Sequence, residues 1–113
     1  MKEVEIIASA MLEKKAQGVC SMDLRKLDTT ICDHFVICHA PSGVQVAAIA
    51  DEVEEQMIVQ AGRRVLRSQG KENRFWVILD YSDIVVHIFQ TEYRMFYRLE
   101  DLWADAVTKD YNE

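Results

Sequence analysis

An α/β layer structure in a single domain is what this sequence predicts: a mixed sheet of about five strands flanked by helices. Three observations carry that expectation. Apolar residues recur at helical spacing near the start of the chain and again between Ser42 and Gly62. The runs at 34–40 and 75–89 are dense in β-branched and aromatic residues, as strands are. Finally, 113 residues, half of them hydrophobic and with one Pro and four Gly, form one compact unit with no linker or internal repeat.

The elements follow in order. Over residues 3–17, Val4, Ile7, Ala8, Met11 and Leu12 fall on one helical stripe, and Gly18 supplies a stop. "VCSMDLRKLD" alternates Cys20, Met22 and Leu24 against Ser21, Asp23 and Arg25, the pattern of a half-buried strand. "HFVICHA", residues 34–40, is a second strand. Pro41 and Ser42 break the chain, and Ser42 with Gln45 three positions on reads as a capping box. Val46, Ile49, Ala50, Val53 and Met57 then mark the inner face of a helix. Arg63 to Ser68 is expected as a short strand whose arginines suit an exposed edge. "SQGKEN" is a turn, residues 75–89 a hairpin, and from Thr91 a helical pattern places Met95, Leu99, Leu102, Trp103 and Ala106 inward. "TKDYNE" is expected to fray.

The formal charge is −6, with 13 Lys and Arg against 19 Asp and Glu. Such a surface repels bare phosphate, so the expectation is little direct nucleic-acid contact and a basic protein as partner. Three cysteines follow no disulfide framework, the opening "MKEVEIIASAMLEKK" is too charged for a secretory leader, and no apolar run reaches the ~18 residues of a membrane span. A cytoplasmic, reduced protein without membrane attachment is the expectation.

The hairpin "FWVILDYSDIVVHIF" poses the functional question. A two-residue turn at Tyr81-Ser82 would set Asp80 opposite Asp83, Leu79 opposite Ile84, Val77 opposite Val86 and Trp76 opposite His87. Alternation then gives one wholly apolar face, Phe75, Val77, Leu79, Ile84, Val86 and Ile88, which must enter the core. The other face carries Trp76, Ile78, Asp80, Asp83, Val85 and His87. Either a helix covers its apolar middle, or it is a docking surface, since Trp and Tyr carry disproportionate binding energy at interfaces. Trp76 and Tyr81 are the expected anchors, with Tyr81 projecting from the turn. Ser82 stands where a primed turn wants Gly or Asn, so it is strained or the loop is longer.

Enzyme chemistry does not emerge. Cys32, His34, Cys38 and His39 match no zinc spacing, so no metal is expected. Asp80 and Asp83 suit Mg²⁺ in a nucleotidyl-transfer site, but neither "QGKEN" nor "APSGV" makes a phosphate cradle. Arg63, Arg64, Arg67, Lys71 and Arg74 form a basic cluster, read as a protected sheet edge ahead of an RNA contact.

"WVILDYSDIVVHIF" followed by "FYRLEDLWADA" closely resembles the signature of the Iojap family, the bacterial ribosomal silencing factors. "ICDHFVICHA", "VAAIADEVE" and "QGKENRFWVILD" also fall in that family's order, so the likeness covers nearly the whole chain. Two departures stand out: the family usually has Gly at the position of Ser82, and a T-G-x-S-x-R-H-V-like segment where this chain reads "HAPSGVQVAAIA". The resemblance implies a factor that docks on the large ribosomal subunit through the universal ribosomal protein L-fourteen (uL-fourteen). It would block joining of the small subunit and so repress translation, with no cofactor and no catalysis. It also implies a nucleotidyltransferase-like fold, from which no activity follows, and a homodimer off the ribosome. The partner-binding residues expected are Trp76, Asp80, Tyr81, Asp83, His87 and, from the F-Y-x-L-E motif, Tyr97. The alternative is a Mg²⁺-dependent nucleotidyltransferase-like enzyme using Asp80 and Asp83.

Overall fold

A computed structural model describes residues 2–27, 32–102 and 104–111. Along the chain run α1 (Lys2–Glu13), β1 (Gln17–Asp23), β2 (His34–Ala40), α2 (Gly43–Ala61), β3 (Arg67–Gln69), β4 (Trp76–Asp80), β5 (Ile84–Gln90), α3 (Thr91–Tyr97), α4 (Leu99–Leu102) and β6 (Val107–Asp110). The strands form one sheet in the order β3-β4-β5-β2-β1-β6. Only β2 and β5 pair in parallel, which makes the sheet mixed, as predicted, with a sixth strand added.

Both long helices cover one face. The α2 residues expected inward, Val46, Ile49, Ala50, Val53 and Met57, are all buried, together with Val4, Ile7, Ala8 and Met11 of α1. They meet Val36, Cys38 and Ala40 of β2, Val77 and Leu79 of β4, and Ile84, Val86 and Ile88 of β5 in the larger core. Burial of each such aliphatic side chain contributes about 1.5–3 kcal/mol. At the N-terminus of α2 the Ser42 hydroxyl accepts from the Gln45 N–H at 3.2 Å; the Gln45 side chain turns away from the cap to the Lys14 and Lys15 carbonyls. At its other end Gly62 takes the left-handed conformation and donates its N–H to the Ile58 carbonyl, closing the last turn.

Several expectations are corrected. α1 ends at Glu13, because Lys15 turns left-handed (φ 65°) and sends the chain into β1. Gly18 is not the helix stop: it lies within β1 beside a register shift at φ 59°, where a Cβ would come within 2.6 Å of both His39 and Arg94. β1 ends at Asp23, whose carboxylate accepts from the Arg25 backbone and guanidinium and folds the following turn; Asp28 lies outside the described residues. The stretch from Arg63 to Leu66 is loop, and β3 is shorter and later than expected, though it is an edge. "TKDY" does not fray. Thr108, Lys109 and Asp110 belong to β6, paired with β1, and Tyr111 follows it with its hydroxyl reaching Glu5 at 2.8 Å and Ser21 at 3.2 Å; Asn112 and Glu113 lie outside the described residues.

The C-terminal helix is also broken in two. Arg98 adopts φ 49° between α3 and α4, so the inward stripe does not run through. Leu99 is buried as expected, but Met95 points to solvent and Arg94 is the buried residue of α3. Trp103 and the Leu102 side chain lie outside the described residues.

The hairpin register differs from the expected one by two residues. Trp76 lies opposite Phe89, Val77 opposite Ile88, Ile78 opposite His87, Leu79 opposite Val86 and Asp80 opposite Val85. Tyr81 then donates its N–H to the Ile84 carbonyl, leaving Ser82 and Asp83 at the tip. A two-residue shift preserves the faces, so the division into apolar and mixed sides holds. Phe75 falls outside β4 and is exposed, so it leaves the apolar stripe. The reason for the shift is Tyr81, which continues the alternation of Val77 and Leu79 into the core.

Candidate docking surface

The second side of the sheet carries a smaller core of Cys20, Met22, Leu24, Phe35, Ile37, Phe89 and Leu99. Its cover is incomplete over β4, where Trp76, Ile78 and Asp80 are all half-buried. Trp76 stacks on Phe89 at 4.8 Å and meets the Tyr97 ring at 5.0 Å. Its indole N–H donates to Nδ1 of His87 at 3.0 Å. Trp76 and His87 are therefore diagonal neighbours on one face, not a directly opposed pair.

His87 is 5% exposed, and Phe35 packs edge-on against it at 4.6 Å. Burial holds its pKa down to about 4, so the imidazole is neutral near pH 7. Because Nδ1 accepts from Trp76, the ring proton resides on Nε2, which has no hydrogen-bond partner among the described residues. This histidine fixes the indole and is not itself available to a ligand.

α3 turns the rest of the surface outward. Arg94 donates to the Gly18 carbonyl at 2.7 Å and meets His39 Nδ1 at 2.9 Å. With Arg94 as its inward residue, α3 presents Met95 and Phe96 to solvent, Phe96 at 78% exposure, and leaves Tyr97 about half exposed. Phe75 and Tyr93 stack at 4.6 Å beside them, and Phe96 meets Tyr97 edge-on at 5.2 Å. Glu92, Tyr93, Phe96 and Tyr97 line a shallow cleft of about 270 Å³. A contiguous exposed group of this kind marks an interaction site more than an isolated apolar residue does.

Sequence reasoning missed Phe75, Tyr93, Met95 and Phe96 as surface, and Arg94 as the residue that sets the helix's orientation. The available signal was the run "YRMFY", too aromatic for one inward stripe.

The turn is held by its own polar groups. Asp80 accepts the Ser82 N–H at 2.7 Å, and Asp83 pairs with Arg63 at 2.7 Å. Arg63 also donates to the Tyr81 carbonyl at 2.6 Å. Its hydrogen bonds pull the Asp83 carboxyl below the usual range. Ser82 takes φ 77°, so the strained alternative is the one adopted. Tyr81 does not project from the turn. It is fully buried in the larger core, its hydroxyl has no hydrogen-bond partner among the described residues, and burial pushes its pKa up to about 12.

The three cysteines are buried and form no disulfide. Burial pushes the Cys32 thiol up to about 11 and Cys38 further, the opposite of what a nucleophile needs. His34 and Cys38 fall on one face of β2 by alternation, and no group of three or more His, Cys, Asp or Glu that could hold a metal exists among the described residues.

A family model described as "Ribosomal silencing factor during starvation", RsfS, matches residues 1–113. The chain belongs to the RsfS family. It is similar to ribosomal silencing factor RsfS of Bacillus subtilis, with 36% identity over 95% of this chain and 89% of that protein. The chloroplastic protein Iojap of Zea mays is 33% identical over 89% of this chain, which spans 43% of that longer protein. Among solved structures, a Chromobacterium violaceum protein superposes with a TM-score of 0.83 at 30% identity, covering 92% of this chain and 86% of that one. A Bacillus halodurans protein superposes at 0.79 with 34% identity over 95% of each. The Iojap-family resemblance read from the hairpin is thereby established, and with it a place in translation regulation.

Within this RsfS-family fold, Trp76, His87 and Tyr97 come together. Asp80 and Asp83 sit at the turn, about 13 Å along β4 from Trp76 at 3.3 Å per residue. Tyr81 lies on the other side of the sheet.

Proposed function

We propose that this RsfS-family chain binds the large ribosomal subunit through universal ribosomal protein L-fourteen and silences translation by blocking small-subunit joining. The observation that carries the reading is the aromatic surface of Phe75, Trp76, Tyr93, Phe96 and Tyr97, bordered by Glu92. Aromatic faces attract Lys and Arg side chains, and the Glu92 carboxylate in the cleft adds to that preference. An acidic chain with such a face suits a basic ribosomal protein.

The action is occupancy. The folded chain measures 36 × 34 × 27 Å, so a subunit bridge cannot close over it. An interface of standard size needs about 800 Å² from each partner, against a total surface of 6526 Å². Asp80 and Asp83 are given no catalytic role, because one carboxylate folds the turn and the other neutralises Arg63. Off the ribosome, the same surface is free to take a second copy of the chain. The factor works where ribosomes do, in the cytoplasm; no described helix is long and apolar enough to cross a membrane.

Sucrose-gradient sedimentation tests this reading. Added protein should travel with large subunits and deplete joined ribosomes. Protein that stays at the top of the gradient, with joined ribosomes unchanged, refutes it.

A further inference from the structure

Residues 63–74 hold five basic side chains, Arg63, Arg64, Arg67, Lys71 and Arg74, against one acidic residue, Glu72, in a chain whose overall charge is −6. The segment forms one border of the molecule: the loop after α2, the edge strand β3 and the turn into β4. Two of the five cations are neutralised, Arg63 by Asp83 and Lys71 by Glu54. The other three, Arg64, Arg67 and Arg74, are exposed and have no carboxylate partner among the described residues. Arg67 even lies opposite Asp80 in the β3–β4 ladder without an ion pair, since Asp80 is engaged by Ser82. The Arg74 side chain packs along Gly43, at the start of α2.

Of the three, only Arg67 lies on the edge strand itself, so guarding that edge does not account for Arg64 and Arg74. Three unpaired guanidiniums in a chain with 19 carboxylates go beyond that need. Arginine also suits phosphate, because its planar fork donates two parallel hydrogen bonds to phosphate oxygens.

From this we infer that the β3 border is a phosphate-backbone contact, with Arg64, Arg67 and Arg74 gripping an RNA strand. The overall negative charge does not prevent it. The nearest acidic helix, α2, meets the border through Glu54, which is already paired with Lys71, and carboxylates farther off than the Debye length of about 8 Å at physiological salt are screened. The expectation of little nucleic-acid contact therefore becomes a limit of about three phosphates. The border adjoins the aromatic surface where Arg74 precedes Phe75, but it uses different residues and stands without the proposed ribosomal partner.

The direct test titrates a short double-stranded RNA into isotopically labelled full chain at low salt and follows backbone amide shifts. Shifts should concentrate at residues 63–74 and vanish in an Arg64→Gln, Arg67→Gln, Arg74→Gln variant that keeps the wild-type circular dichroism. Three phosphate contacts predict a loss of roughly fortyfold in affinity between about 50 and 200 mM salt, from a slope of about −0.9 per phosphate. No shifts in this segment, or shifts that survive in the variant, overturn the inference. Equal shifts with polyglutamate at matched charge also overturn it, making the border a dock for acidic protein. On large subunits the variant should bind with a flatter salt dependence than wild type. An unchanged slope contradicts the RNA contact, whereas failure of both proteins to bind contradicts only the silencing reading.

Discussion

Trp76 donates its indole N–H to Nδ1 of His87 across 3.0 Å, and the imidazole that accepts it is buried under Phe35. Protonating that ring would place a second proton where Trp76 already points. His87 should therefore remain neutral well below the ordinary histidine range. Its folded pKa of about 4 lies below the unfolded 6.5, so the unfolded chain binds more protons in that window. Stability is full above about pH 6.5 and falls as pH drops towards about 4, by roughly 3 kcal/mol at most. Burial shifts His34 in the same direction, so the site-specific readout is the His87 ring nitrogen resonances. They should show a neutral Nε2–H tautomer at about pH 5.5; a His87 midpoint near the ordinary value contradicts the hydrogen bond.

Tyr81 separates core from surface most sharply. Removing a fully buried aromatic costs about 3–5 kcal/mol, so Tyr81→Ala should lower the urea midpoint severely. Tyr81→Phe deletes a hydroxyl that has no hydrogen-bond partner among the described residues, and should be neutral or stabilising. A marked loss in Tyr81→Phe would show that the hydroxyl has a partner.

Ser82 is strained at φ 77°. Ser82→Gly should raise stability by about 1 kcal/mol, the cost of a left-handed L-residue, read as a higher denaturation midpoint. An unchanged or lowered midpoint means the turn gains more from serine than its backbone loses.

Asp83→Asn removes the charge facing Arg63. Both side chains are about one-third exposed, so the loss should be within about 1 kcal/mol. The Asp83 pKa is lowered from 3.8, so its contribution is present above that value and disappears as pH falls below it. Neither this substitution nor Asp80→Asn should abolish any turnover. A Mg²⁺-dependent nucleotide transfer that both eliminate would restore the enzyme reading.

Local signals in the sequence placed the strongest elements. α2 was legible at both ends because Ser42 and Gly62 each satisfy backbone groups within a few residues. The faces of the hairpin were legible from alternation alone, while its register was not, since a two-residue slip leaves every face unchanged. β6 left no trace, because all four of its residues are exposed and its partner β1 lies more than 80 residues earlier. The outward aromatic face of α3 depends on Arg94 bonding to Gly18 and His39, contacts across the sheet that no helical period encodes. Of the aromatic surface, Trp76 and Tyr97 were thus readable, with His87 as the buried support of the indole, while Phe75, Tyr93 and Phe96 came from tertiary structure.

The most direct measurement is subunit joining, followed by light scattering with purified large and small subunits. Wild-type chain should suppress joining in proportion to its occupancy of large subunits. Phe96→Ala and Tyr97→Ala, both at exposed positions, should keep the wild-type melting temperature. Together they should lose about thirtyfold or more in affinity, the ~2 kcal/mol expected of an interface anchor, and let joining proceed. A folded double variant that still blocks joining at wild-type concentrations would contradict docking through this aromatic surface.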